Sequence, residues 1–285
     1  MQVEAEPHLR AWVDYFRDLG IHDFYRRGES AHAPANEADA VSITLNAAGE
    51  APEFPAEVGP SLPPAGVSLP GPTTSKLTSF NDLAPMPTAR VPTGDRAAAL
   101  RAIQQAVGDC TRCTLAYAGR RKIVFGDGSP TARLMFVGEG PGADEDVQGT
   151  PFVGKAGQLL NNMIAAMGLA RPDVYIANIV MCRPPNNRVP ETVEANTCTQ
   201  FLLRQIDVVQ PEVIVALGAT AAMYLLGVKQ SLSSLRGRWH TCRGAKLAVT
   251  YHPAFLLRDP RQKAEAWKDL QMVMAELGLT APPRK

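Results

Sequence analysis

The sequence predicts an α/β protein whose core is a mostly parallel four-stranded sheet covered on both faces by helices. Two observations support this. From residue 96 onward, short apolar runs alternate with longer stretches in which apolar residues recur at helical spacing, the pattern of strands joined by crossover helices. The unusual loops also all follow apolar runs, and the carboxyl ends of the strands are where parallel sheets place their ligands.

In chain order, a helix is expected over 96–109, then a strand over 133–138 (RLMFVG) that leads into GEGPGADED. A helix follows from Lys155 to Met167. The second strand is 174–180 (VYIANIV), ending in MCRPPNNR, with a helix over 191–209. The third is 213–218 (VIVALG), followed by a helix over 219–226. The fourth is 247–252 (LAVTYH), ending in HPAFLLR, and a helix over 261–277 closes the fold. Ahead of this domain, 96–285, two segments read differently. Residues 1–27 carry an amphipathic helix, with Leu9, Trp12, Val13, Phe16 and Leu19 on one stripe. Residues 28–95 are rich in Pro, Ala, Gly and Ser without a sustained period and are expected to be a disordered linker. The N-terminal region is also the place for a protein partner, should there be one.

The 285 residues carry a net charge of +1, which hides an asymmetry. Residues 1–95 hold 6 basic and 13 acidic side chains, a net of −7, whereas the remainder holds 23 and 15, a net of +8. A basic domain suits a polyanionic partner such as nucleic acid. No stretch of 18 apolar residues occurs and the first residues lack a signal-peptide pattern. The expectation is a monomer in the cytoplasm, associated with the nucleoid and not with a membrane.

Five cysteines, an odd number, argue against a disulfide framework. Cys110-x-x-Cys113, Cys182 and Cys198 together suit a Zn²⁺ ion or an iron–sulfur cluster, and spacing does not separate the two. Cys242 stands outside the pattern and reads as a plain thiol. Lys155 in GKAG resembles a phosphate-binding lysine, but no G-x-x-x-x-G-K-[ST] is present, which excludes an NTPase of that kind.

Taken in order, GEGPGADED, GTPFVGKAGQLL, YIANIVMCRPPNNR, the downstream cysteine and HPAFLLR resemble the family-4 uracil-DNA glycosylases over roughly residues 105–275. That resemblance implies a three-layer α/β/α sandwich and a [4Fe–4S] cluster on Cys110, Cys113, Cys182 and Cys198. It also implies hydrolysis of the N-glycosidic bond of uracil in single- or double-stranded DNA, with the base flipped into a pocket.

Within that expectation Phe152 stacks on the base. The Asn178 amide offers one donor and one acceptor, matching uracil O4 and N3–H, and the reversed pattern of cytosine leaves it unpaired. His252 contacts uracil O2 and stabilises charge as the bond breaks. Leu256 and Leu257 are expected as wedges in the base stack, with Arg258 on phosphate. Gly140 stands where the best-known uracil glycosylases carry a water-positioning Asp, so water falls to the Gly140 backbone and Asn187. Glu139 supports the pocket, and Glu145 either orients loops or offsets charge on the sugar. Arg188, with Arg120, Arg121, Lys122, Arg183, Arg236 and Arg238, is expected to build the DNA-facing field.

Other readings are a glycosylase for deaminated purines, a damaged-DNA binder that is non-catalytic or traps its product covalently, with His240 as the candidate trap, and a flavodoxin-like redox protein.

Overall fold

A computed structural model describes residues 76–87 and 89–282. The chain divides into two units, Met1–Ala65 and Gly66–Lys285, and the described residues all belong to the second. The helix expected within 1–27 lies outside them.

The expected parallel core is present, with strands added at both edges. The strands are β1 (Asp127–Gly128), β2 (Leu134–Gly138), β3 (Tyr175–Asn178), β4 (Val213–Leu217), β5 (His240–Cys242) and β6 (Ala245–Thr250). They lie in the order β1-β3-β2-β4-β6-β5. The inner four pair in parallel, while β1 runs antiparallel to β3 and β5 antiparallel to β6. Among the described residues the sheet is therefore six-stranded, not four-stranded. Neither extra strand carries an apolar run: β1 is Asp-Gly, and β5 is held by a tight hairpin in which Arg243 and Gly244 both have positive φ, 51° and 79°.

The helices are α1 (Phe80–Leu83), α2 (Arg96–Val107), α3 (Ala143–Gln148), α4 (Lys155–Ala166), α5 (Thr192–Val209), α6 (Ala219–Leu226), α7 (Leu232–Leu235), α8 (Pro253–Arg258) and α9 (Lys263–Leu277). Successive strand residues serve opposite faces. Met135, Val137, Ile214 and Ala216 pack with α2, α5 and α6, whereas Leu134, Phe136, Val213 and Val215 pack with α4 and α9. Helices on both faces make three layers, and burial on both faces explains the unbroken apolar runs of the inner strands. Among the described residues no helix is long and apolar enough to cross a membrane.

The segment expected as linker reaches into this core. Phe80 is fully buried among the residues of the α2–α5–α6 face. Asn81 Oδ1 accepts from the Arg243 backbone N–H (2.7 Å), and the Arg243 guanidinium donates to the carbonyls of Ala84 and Pro85 while pairing with Asp207. Residues ahead of the expected boundary at 96 thus pack against and bond to the domain. A single helical turn is too short to show a period in sequence.

Candidate active site and cysteine cluster

The carboxyl ends of the inner strands are level, with Gly138 of β2 paired with Asn178 of β3, and Leu217 of β4 with Thr250 of β6. Three expected pocket residues meet there. A Cβ built on Gly138 would lie 2.4 Å from Asn178 Oδ1 and 2.5 Å from the Phe152 ring, so only glycine admits both side chains to this corner. The Phe152 and His252 rings lie 5.6 Å apart, tilted by 33°. Among the described residues, Asn178 Oδ1 is the only buried side-chain polar atom without a hydrogen-bond partner. An unpaired buried acceptor costs about 1–3 kcal/mol, and this one lies beside the Phe152 ring at the Gly138 corner.

Phe152 holds φ = 53°, a left-handed conformation that is rare for a bulky residue and typical of sites where surrounding contacts impose it. Arg171, to which the sequence offers no cue, donates to the carbonyls of Pro151 (2.6 Å) and Phe152 (3.1 Å).

His252 is the N-cap of α8, and its Nδ1 accepts from the Ala254 backbone N–H at 3.1 Å. That bond requires an unprotonated Nδ1, so in the neutral ring the proton sits on Nε2, which becomes a donor. Burial, helped by the nearby Arg258 charge and opposed by Glu145, pushes the imidazole down to about 4. At neutral pH the ring is therefore an uncharged donor.

Glu145 is buried, and its carboxylate accepts from three backbone N–H groups: Gly142 (3.0 Å), Val153 (2.8 Å) and Gly154 (2.9 Å). Of its two expected roles, this geometry favours loop orientation. Glu139 continues from β2, with its carbonyl bonded to Val180 N (3.1 Å) and its carboxylate close enough to raise the Tyr224 hydroxyl, whose shift comes mainly from burial. At Gly140 a Cβ would meet Val180 Cγ2 at 2.8 Å and Pro184 Cδ at 3.7 Å, which places the glycine loop against the segment that leads to Asn187. Asn186 and Asn187 both hold φ = 54°, and Asn187 Oδ1 accepts from Arg183 Nε (2.8 Å).

The DNA-facing set divides. Leu257 is 44% exposed and Arg258 is exposed beside it, but Leu256 is 1% exposed and packs into the core of the α4–α9 face. HPAFLLR forms a helix and not an open loop, so adjacent leucines point about 100° apart and only one reaches solvent. Leu256 is therefore a core residue and not a wedge. Arg188 is committed to a bidentate pair with the buried Glu194 (2.8 and 2.7 Å), which holds that carboxyl down at about 2. Two more of the arginines face inward. Arg236 pairs with buried Asp269 (2.7 Å) and lies over the Tyr251 ring, and Arg120 belongs to the cysteine cluster described below. Arg121, Lys122 and Arg238 remain exposed. His240, the candidate trap, has its Nε2 bonded to the Leu235 carbonyl at 2.9 Å.

Cys110, Cys113, Cys182 and Cys198 line one cavity walled by Val107, Ile123 and Phe201. Three segments supply them: the loop after α2, the loop after β3, and α5 itself. N–H groups already point at three of the sulfurs, from Arg112 to Cys110 (3.2 Å), Arg120 to Cys182 (3.3 Å) and the Met181 backbone to Cys198 (3.4 Å). Burial raises the Cys113, Cys182 and Cys198 thiols, and the mutual repulsion of neighbouring thiolates adds to it. Among the described residues no three His, Cys, Asp or Glu side chains converge on a single ion position. Cys242 is buried in β5 and is not part of the cavity.

Residues 125–271 match the family model of the uracil DNA glycosylase superfamily. The chain belongs to that superfamily. It is 47% identical over 161 residues to the type-4 uracil-DNA glycosylase of Thermotoga maritima, covering 55% of this chain and 82% of that protein. To the type-4 enzyme of Pyrobaculum aerophilum it is 41% identical over 181 residues, covering 61% and 92%. For the type-4 enzyme of Archaeoglobus fulgidus the figures are 38% over 190 residues, 63% and 94%. The superfamily match runs from just before β1 into α9, and so includes every strand and all the pocket residues named above.

Proposed function

We propose that this chain hydrolyses the N-glycosidic bond of uracil in DNA, releasing the free base and leaving an abasic site. The relatives named above support the reaction class. The observation that carries the pocket is the unpartnered Asn178 Oδ1, buried beside the Phe152 ring.

The residues divide the work as follows. DNA is held by the exposed basic side chains, and Leu257 fills the gap in the stack when the base leaves it. Phe152 supplies the stacking face. Asn178 Oδ1 accepts from N3–H and its amide N–H donates to O4. Cytosine presents an acceptor at N3 and a donor at C4, leaving both ends of the amide opposed, a mismatch worth about 10⁴-fold in discrimination. As the bond from N1 to the sugar breaks, both bonding electrons stay with the base and charge grows on O2. The neutral His252 Nε2–H donates there without needing to be protonated first. Water held by the Gly140 backbone and Asn187 adds to the sugar carbon and loses a proton, while the departing base takes one up at nitrogen.

The four cysteines fit a [4Fe–4S] cluster. They surround a shared apolar cavity instead of closing on one point, and N–H donors face their sulfurs, the setting that stabilises anionic thiolates. When bound, the cluster supplies iron–thiolate bonds that tie three chain segments together.

The test is a labelled oligonucleotide with one deoxyuridine, incubated with enzyme and then treated with hot alkali, alongside iron and sulfide determination on anaerobically reconstituted protein. Strand breakage only after alkali, with about four irons and four sulfides per chain, is expected. DNA binding without alkali-labile sites refutes the excision reading, and zinc in place of iron refutes the cluster.

A further inference from the structure

We infer that Arg171 is the positioning residue that sets the stacking face of the base pocket. It does so by holding Phe152 in a backbone conformation that the residue would not adopt alone. The inference rests on the assignment of Phe152 to the base in the preceding subsection.

A guanidinium has five N–H donors, and Arg171 makes five hydrogen bonds. Nη2 donates to the Pro151 carbonyl (2.6 Å) and to Asp127 Oδ2 (3.1 Å). Nη1 donates to the Phe152 carbonyl (3.1 Å) and to Asn161 Oδ1 (3.2 Å). Nε donates to Asp127 Oδ2 (3.3 Å). Two bonds therefore grip consecutive carbonyls of the Phe152 loop, while the other three fix the guanidinium to β1 and α4. The grip falls where the chain is strained: Phe152 has φ = 53°, a conformation that costs a bulky residue free energy and persists only where neighbours impose it. Gly157 completes the seat, since a Cβ there would lie 2.0 Å from the Phe152 carbonyl oxygen.

Two features follow from this. The planar fork is what allows two carbonyls to be held side by side, so lysine, a point charge on a flexible stem, does not substitute. The short edge strand β1 acquires a purpose, because its pairing of Asp127 with Ile176 holds Asp127 beside the turn from which Arg171 projects. Released from the clamp, Phe152 relaxes toward negative φ and its ring leaves the face of the base.

The experiment compares wild type, R171K, D127A and F152A, all cluster-loaded, in three measurements: inhibition of excision by free uracil, affinity for abasic-site DNA, and thermal unfolding. R171K and F152A are each expected to weaken inhibition by free uracil about tenfold, the size of effect seen when a base loses its aromatic stacking partner. Affinity for abasic-site DNA should hold, because the abasic product lacks the base. D127A should weaken uracil inhibition in the same direction by a smaller factor, and Asp127 is half exposed, so that variant folds even if R171K does not. A merely structural role would lower the unfolding temperature but leave inhibition by uracil unmoved. If F152A responds while R171K and D127A inhibit like wild type, the positioning role is overturned. If wild type releases no uracil, the uracil reading falls and takes this inference with it.

Discussion

The state of His252 leads to a prediction about acid stability. Burial holds the imidazole near 4 against an ordinary 6.5, so between those values the unfolded chain binds a proton that the folded chain refuses. Stability must then rise with pH across that window, being full above 6.5 and progressively lost below it. Between pH 7.5 and pH 5.0 the linkage amounts to about 2 kcal/mol for this one group. The perturbation is His252→Asn, because asparagine is a good N-cap and keeps an acceptor for the Ala254 N–H while removing the titration. Urea unfolding of the two proteins at pH 7.5 and 5.0 should show wild type losing about 2 kcal/mol more than the variant on acidification. Carboxylates titrating in the same range cancel in the comparison. Single-turnover excision by wild type should pass through pH 6.5 without an inflection and decline only toward pH 4, where protonation removes the Nδ1 acceptor. Equal losses of stability in the two proteins, or an inflection in excision near 6.5, would refute a buried neutral imidazole.

Asn178→Asp keeps an acceptor for N3–H but loses the donor to O4 and buries a charge, so excision of uracil should fall by about 100-fold or more, measured on matched deoxyuridine and deoxycytidine oligonucleotides; unchanged uracil kinetics would remove Asn178 from the pocket. The two leucines of α8 should separate. Leu256→Ala is expected to cost about 2–5 kcal/mol in urea unfolding, whereas Leu257→Ala should change stability by no more than about 0.5 kcal/mol and lower excision from duplex more than from single-stranded DNA. Deleting residues 1–75 should leave excision and unfolding temperature as they are. Extending the deletion through residue 86 removes Phe80 and the Asn81, Ala84 and Pro85 partners of Arg243, and should destabilise the domain by about 3 kcal/mol or more; equal stability of the two truncations would show that Phe80 does not anchor the domain.

What could be read from the sequence follows from the range of the interactions involved. The inner strands β2, β3, β4 and β6 declare themselves because burial on both faces demands unbroken apolar runs. The edge strands do not, because β1 and β5 exist through hydrogen bonds to β3 and β6, and composition carries no record of those partners. Gly138, Phe152, Asn178 and His252 were legible as motif residues and do converge. Leu256 was not, since six residues of HPAFLLR are too few to reveal a helix, and without its phase both leucines look alike. Arg171 had no signal at all: its meaning lies in two carbonyls 20 and 19 residues back and a carboxylate 44 residues back. Arg188 and Arg120 show the same limit from the other side, since a count of basic residues cannot tell a charge offered to solvent from one already engaged by Glu194 or by a cysteine sulfur.

The single carboxylate of Glu145 joins the glycine loop at Gly142 to the Phe152 loop at Val153 and Gly154. Two walls of the pocket are thereby one mechanical body, and neither swings without breaking charge-assisted bonds on the other. On the pocket proposed above, a base leaving its stack meets walls that Glu145 has already joined. Recognition then works like a fixed gauge rather than a closing hand, and the ordering entropy that a lid would subtract from affinity does not arise at the moment of binding. On that reading selectivity shows itself as refusal of entry, a misfit base returning to its stack before it reaches the donor proposed at His252.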